Sequence, residues 1–255
     1  MSRTRRFLRG VGVGYVSQAL LAVVGLVVTR FLLHRLGQHD YGLWLVATQL
    51  LAYLALVDFG VVALLPREVA YATGRVEASA AGQPLPEIVG HTMRIVFWQM
   101  PMVALIALMF WIFLPADWEQ VRWPLGIVMI AFVATFPLRV PPATLSGLQD
   151  LVFMSSLQTL ALLLGTATTV FLVSQRWGLT ALALGWVVSQ AVLGLAGLAR
   201  LHRRFPHAIP DHLPRLAWDE VKGRLGRGSW VSLSQVSVVL LNASDTVVKI
   251  GRAHV

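Results

Sequence analysis

The chain has 255 residues, of which 56% are hydrophobic and 13% charged, and its mean hydropathy is +0.69. Soluble domains carry about 25% charged residues, so an ordinary water-soluble globule is excluded. Zero cysteines exclude disulfides, thiolate metal sites and a cysteine nucleophile. The formal charge of +9 is carried by basic residues spaced between apolar blocks, which points to membrane topology and away from nucleic acid.

Arg3, Arg5, Arg6 and Arg9 precede a first apolar run, Val11 to Leu33. It is too long for the apolar region of a secretory leader and no small-residue cleavage site follows, so it reads as a transmembrane helix. A polar turn, Leu36 to Tyr41, leads to a second run, Leu43 to Leu65, whose 23 residues include one acid, Asp58. At about 1.5 Å per residue such a run spans the roughly 30 Å hydrocarbon core of a bilayer. A polar stretch, Pro66 to Arg94, separates it from a third helix, Ile95 to Leu114. The loop PADWEQVRWP then carries tryptophans suited to a membrane interface.

The fourth run, Leu125 to Leu145, contains Pro137, Arg139, Pro141 and Pro142 and must be kinked or broken there. Val152 to Val173 and Ala181 to Leu198 are the fifth and sixth, joined by the turn SQRWG, and a basic segment leads to a seventh run at Trp230. The reading is an all-α polytopic membrane protein. Residues 1–198 form a six-helix lobe, 199–228 a basic linker, and 229–249 the first helix of a second lobe. The last six residues, IGRAHV, match one reading frame of a common sequencing-library adapter. The expectation is a non-native tail at 250–255 on a truncated gene product, the alternative being a native Ile250-Gly251-Arg252.

Placing the N-terminus in the cytoplasm puts fourteen Lys and Arg inside and four outside, the latter being Arg30, Arg35, Arg122 and Arg176. Within the linker, Leu213 to Leu225 suits a short amphipathic helix on the anionic leaflet. His202, His207 and His212 recur every five residues but are interrupted by Pro206 and Pro210, so a solvated hinge is preferred to a metal site. GYVSQALLAVVGLVVTR from Gly14 and GSWVSLSQVSVVLLNASD from Gly228 form a weak internal echo, as paired transporter repeats do.

LGQHDYGLW, LVDFGVVALLPREVA, FPLRVPPATLSGLQD and the helix bearing Asp245 together resemble the polysaccharide-unit flippases of the multidrug/oligosaccharidyl-lipid/polysaccharide exporter superfamily. The resemblance covers most of residues 8–249, the N-terminal half of such a protein. It implies two six-helix lobes around a central cavity, working by alternating access in the bacterial inner membrane. The implied cargo is a lipid-diphosphate-linked oligosaccharide, a repeat unit of O-antigen or a related polysaccharide, with a polysaccharide polymerase and assembly proteins as partners. It implies no enzyme, no catalytic residue, no cofactor, no metal and no nucleic acid. Half a cavity cannot alternate, so residues 1–255 alone are expected to be inactive.

A diphosphate needs cationic groups, and guanidinium binds phosphate in a two-pronged fork without losing its charge. Arg139, Arg30 and Arg35 are the candidates; for Arg30 and Arg35 the competing reading is snorkelling to the interface or solvation in the outer loop. Asp58 is either a structural ion pair or a coupling acid, and Asp245 falls in the same class. Gln49 and Tyr53, four apart, read as helix-packing residues. Asp58 lies seven residues before Leu65 and Arg139 six before Leu145, so both sit roughly 9–10 Å above the basic boundary and should face one another. Two rival readings remain, a cation-coupled exporter of drugs or metabolites from the same superfamily and a membrane glycosyltransferase. The first would want more buried carboxylate, the second paired acids at one membrane face.

The topology is testable by fusion. A reporter active only in the periplasm should give signal after Asp117 or Arg176 and none after Glu77 or His207; the reverse pattern would overturn the count of basic residues.

Overall fold

The computed structural model describes residues 3–77, 84–210 and 212–214, with eight further positions between 222 and 237. Every element among them is helical. The chain enters as α1 (Arg3–Leu36), and a single residue, Gly37 at φ 88°, separates it from α2 (Gln38–Ala55). The polar turn expected over Leu36 to Tyr41 thus shrinks to one glycine, since a left-handed residue without a Cβ reverses the chain in the least length.

The second run does not form one helix. α2 tightens into a 3₁₀ turn, Leu56–Asp58, and the chain breaks at Phe59 and Gly60 before restarting as α3 (Val61–Glu77). Hydropathy runs unbroken from Leu43 to Leu65 because it counts carbon and not backbone hydrogen bonds. The break lies in the hydrogen bonds, where the Asp58 carboxylate takes the Gly60 N–H. Most of the polar stretch Pro66 to Arg94 is helical too, because polar side chains do not end a helix that has left hydrocarbon. α3 runs to Glu77, and α4 (Leu85–Ile112) starts behind Pro84.

The fourth span is interrupted where its prolines predict. α5 (Glu119–Thr135) passes into a 3₁₀ segment, Phe136–Arg139, and continues as the two-turn α6 (Val140–Gly147). α7 (Leu151–Ser174) and α8 (Thr180–Arg204) close the lobe. Among the described residues, six stretches are long and apolar enough to cross a membrane, Gln18–Leu36, Gln38–Asp58, Leu85–Ile112, Ala116–Gly147, Leu151–Ser174 and Thr180–Arg204. The chain is an all-α polytopic membrane protein.

Small residues set the packing, as they must where lipid supplies no hydrophobic drive between helices. α7 and α8 cross at Gly165 and Gly185, where an added Cβ on either would meet the other's carbonyl oxygen at 2.6 Å. The Ser189 hydroxyl donates to the Ala161 carbonyl across this crossing at 2.9 Å. Further along α8, Gly194 accommodates Leu138 and Gly197 accommodates Pro142, so α8 braces the broken fourth span. Gly147 at the end of α6 lies against Val69 and the Pro66 carbonyl of α3.

One core cluster includes Trp44, Leu54, Leu65, Val96, Leu125 and Phe136. A second, around Leu145, Met154, Leu201 and Ala208, seats the start of the linker on the lobe. There Pro210 and Pro214 face Gly90, and Arg94 Nη1 donates to the carbonyls of Leu213 (3.3 Å) and Pro214 (3.1 Å). Gln49 and Tyr53, expected as packing residues, are instead exposed. The α7–α8 crossing gives a stability test. Gly185→Leu should lower the detergent-solubilised Tm by an amount matching about 1–3 kcal/mol of overpacking. Gly25→Leu, where a Cβ meets nothing within 4 Å, should leave it unchanged.

Candidate functional site

Two interrupted spans bring their charges together. Asp58 lies twenty residues after the start of α2 at Gln38, and Arg139 lies twenty after the start of α5 at Glu119. At about 1.5 Å per residue both stand roughly 30 Å from the end of the lobe where those helices begin. The pair expected from depth forms: Arg139 Nη2 stands 3.5 Å from Asp58 Oδ2. That is longer than the 2.7–2.9 Å or so of a charge-assisted hydrogen bond, so the contact is an ion pair without a tight bond. The Asp58 side chain is 3% exposed and that of Arg139 33%.

Each partner is held from elsewhere. Asp58 Oδ1 accepts the Gly60 N–H at 2.6 Å, and the Asp58 carbonyl accepts a hydrogen bond from Gln99 Nε2 of α4 at 3.2 Å. Arg139 stands over two aromatic rings, its Cζ 5.9 Å from the Phe132 centroid and 5.4 Å from that of Phe136. Phe132 stacks in turn on Trp186 of α8. These rings attract a guanidinium through their faces and fix its plane. Among the described residues, two buried polar atoms in the cluster have no hydrogen-bond partner, Arg139 Nη1 and Gln99 Oε1. The site therefore has cationic donor capacity that the described residues do not consume.

Arg30 and Arg35 lie elsewhere. Both are exposed near the far end of α1, which packs on α7 and α2. Arg30, six residues before Leu36, stands roughly 9 Å from that end, so roughly 20 Å of depth separates it from Arg139. It borders an apolar groove of about 630 Å³ along Ala22, Gly25, Leu26, Thr29 and Leu33. Arg35 lies over the Phe31 ring, 5.9 Å from its centroid. Asp245 lies outside the described residues. His202, His207 and His212 are all exposed, and no group of three or more His, Asp or Glu able to hold a metal occurs among the described residues.

Sequence reasoning missed three members of this architecture. Gln99 is 2% exposed, an amide sealed inside an apolar span, and its isolation there was the available signal. Phe59–Gly60 was announced by Asp58-Phe59-Gly60, since an Asp two residues before a Gly is a turn signal even inside hydrophobic sequence. Asp150 and Arg200 form a second ion pair, Oδ2 to Nε at 2.9 Å, tying the α6–α7 turn to α8; nothing in their spacing announces it.

A family model of polysaccharide biosynthesis proteins matches residues 7–253. The chain belongs to that family. No curated protein and no solved structure gives a significant match. Membership in a polysaccharide biosynthesis family, with six helices among the described residues long and apolar enough to cross a membrane, places the buried pair in a membrane protein of polysaccharide biosynthesis.

The pair can be tested by exchange. Asp58→Arg or Arg139→Asp alone leaves like charges together in a buried site, at a cost of about 3–5 kcal/mol, and should sharply reduce inserted protein. The double swap should recover abundance above either single variant, measured as membrane-inserted protein; recovery no better than the worse single would show that the two charges do not interact.

Proposed function

We propose that this member of the family is a lobe of a flippase that carries a lipid-diphosphate-linked oligosaccharide across the bacterial inner membrane by alternating access. The observation that carries the reading is Arg139: a guanidinium at a helix break, a third of its side chain exposed, with one buried nitrogen lacking a hydrogen-bond partner among the described residues. A diphosphate oxygen offers a shorter and better-directed partner than the 3.5 Å contact to Asp58. On this reading the incoming anion competes with Asp58 for Arg139. Arg30 and Arg35, toward the other end of the lobe, meet the diphosphate near the opposite membrane face, with the lipid chain left in hydrocarbon.

In this proposal the N-terminus is cytoplasmic, following the positive-inside count, and Arg139 serves the inward-facing side. No bond is made or broken, so the protein is a transporter and no enzyme. Its partners are the lipid-linked oligosaccharide and, at the outer face, the polymerase and assembly proteins that use it. A cation-coupled exporter is the second reading, favoured by the one buried acid, Asp58, among the described residues. That acid already has a cationic partner within the lobe, which leaves it poorly placed to receive a cationic drug.

The experiment uses the full-length protein in a flippase-deficient host and in proteoliposomes. Arg139→Gln should abolish transport of the lipid-linked sugar per inserted molecule, with abundance measured alongside because the variant strands Asp58, and Arg139→Lys should lose about tenfold or more, because a point charge cannot reproduce the fork. Full transport by Arg139→Gln would sink the reading. Export of a cationic dye that depends on Asp58 and ignores Arg139 would favour the exporter.

A further inference from the structure

The break at Phe59–Gly60 has a neighbour outside the six-helix lobe. Gly228, at the end of the linker, is buried, and a Cβ placed on it would run into the Phe59 carbonyl oxygen, with the Phe59 carbonyl carbon and Gly60 carbonyl carbon next at 3.3 and 3.4 Å. The described positions from 228 to 237 are helical. The next apolar segment therefore begins flush against the interrupted second span, one residue from Asp58.

The turn it touches is unusual. Phe59 has φ 49° and Gly60 φ 69°, two consecutive left-handed residues. A bulky non-glycine residue in that region costs on the order of 1–3 kcal/mol and persists only where its surroundings fix it. Three hydrogen bonds do so here. Phe59 N–H donates to the Leu56 carbonyl at 3.1 Å, Gly60 N–H to Asp58 Oδ1 at 2.6 Å, and Gln99 Nε2 to the Asp58 carbonyl at 3.2 Å. The remaining carboxylate oxygen of Asp58 faces Arg139. One carboxylate thus divides between the guanidinium and the amide that holds the turn.

We propose that the Phe59–Gly60 turn couples the Asp58–Arg139 pair to the segment beginning at Gly228, with Gly228 a positioning residue for the anion site. The proposal rests on the reading of Arg139 as an anion-binding group. The path runs through direct contacts only: Arg139 to Asp58, Asp58 to the Gly60 amide, and the Phe59 carbonyl to Gly228. When an anion draws Arg139 away, the carboxylate loses its counter-charge, its hold on the Gly60 amide changes, and the Phe59 carbonyl moves away from Gly228, the displacement that a Cβ at 228 would also force. Gly228 must lack a side chain because that carbonyl lies where a Cβ would be. Linkage makes the effect reciprocal in sign: a wedge at residue 228 that shifts the turn must alter anion affinity at Arg139, by up to the factor by which the anion shifts the turn.

The test exploits the absence of cysteine from these 255 residues. In the full-length protein, with any cysteine beyond them replaced, Phe59→Cys reports on the turn through its rate of reaction with a maleimide, since this side chain is 42% exposed. Inorganic pyrophosphate is the probe. It should change the rate with a saturable midpoint, and Arg139→Gln should abolish the response. Gly228→Ala should move the basal rate toward the pyrophosphate-bound value and lower the midpoint about tenfold, within the usual range of coupling energies. Asp58→Asn, which keeps an acceptor for the Gly60 amide, should act in the same direction and serves if Gly228→Ala does not insert. Gly226→Ala, where a Cβ meets nothing within 4 Å, should change neither quantity.

If pyrophosphate acts through Arg139 but neither Gly228→Ala nor Asp58→Asn moves its midpoint, the coupling is refuted and the anion reading stands. If pyrophosphate has no effect, yet Arg139→Gln and Gly228→Ala both change the reactivity at residue 59, the coupling stands and the anion reading fails. Equal effects from Gly226→Ala and Gly228→Ala would refute the coupling, since they would trace to the linker in general.

Discussion

A carboxylate that is 3% exposed inside a membrane-crossing stretch cannot stand alone, and much of this lobe follows from compensating it. Taking a charge out of water costs several kcal/mol, and an ion pair at 3.5 Å returns on the order of 5 kcal/mol at an effective dielectric of 20. The pair comes near to balance without a large net gain. What tips it is the hydrogen bonding on either side: the Gly60 amide on one carboxylate oxygen, and Gln99 on the carbonyl beside it. The break at Phe59–Gly60 serves that purpose, because an unbroken helix keeps its interior amides and carbonyls for itself.

Breaking two helices within hydrocarbon requires bracing, which explains where the small residues fall. α8 contributes Gly194 and Gly197 to Leu138 and Pro142, and α6 contributes Gly147 to α3. Each lets a backbone approach closely enough to hold a short or interrupted helix that could not stand by itself. The Asp150–Arg200 pair at 2.9 Å closes the same arrangement at the basic end, with Arg200 also stacked over Phe153. Packing against α3 and α8 thus braces the break in the fourth span, and the Phe59–Gly60 turn is held differently. That turn is fixed by hydrogen bonds more than by side-chain packing, since Phe59 itself is exposed.

The spans were legible because each bilayer crossing writes its length into composition. The facing of Asp58 and Arg139 was legible because lone charges of opposite sign, at equal depth, have only each other to offset their burial. The prolines announced the break in the fourth span, yet the equivalent break in the second passed unseen. Proline removes a donor whatever its surroundings, whereas Asp58-Phe59-Gly60 becomes a turn only when the carboxylate turns inward onto the Gly60 amide. Helix ends were misplaced at Pro66 to Arg94 for a related reason: hydropathy marks where hydrocarbon stops, and the α3 and α4 ladders continue past it. Arg30 and Arg35 were grouped with Arg139 as guanidinium donors only, and the roughly 20 Å of depth between them agrees with the basic-residue count, which already put them toward opposite faces.

The choice of arginine at position 139 bears on how such a site could work. Guanidinium keeps its charge in any environment a protein provides, so neutralising or displacing Asp58 leaves a cation behind. A lysine there could shed its proton once its counter-charge left, and the site would fall silent when an anion arrived to use it. Phe132 and Phe136 strengthen this asymmetry, because their ring faces stabilise the cation while giving Asp58 nothing in return. Arg139 therefore has the ring faces besides its counter-charge, whereas Asp58 has only a neutral amide, that of Gly60, besides its own. Removing Arg139 strands the acid, whereas removing Asp58 leaves an arginine still supported by its rings and open to an anion from outside. On the proposed reading, a resting site built this way is closed by its own carboxylate and opens toward phosphate, which is the polarity that capture of a diphosphate requires.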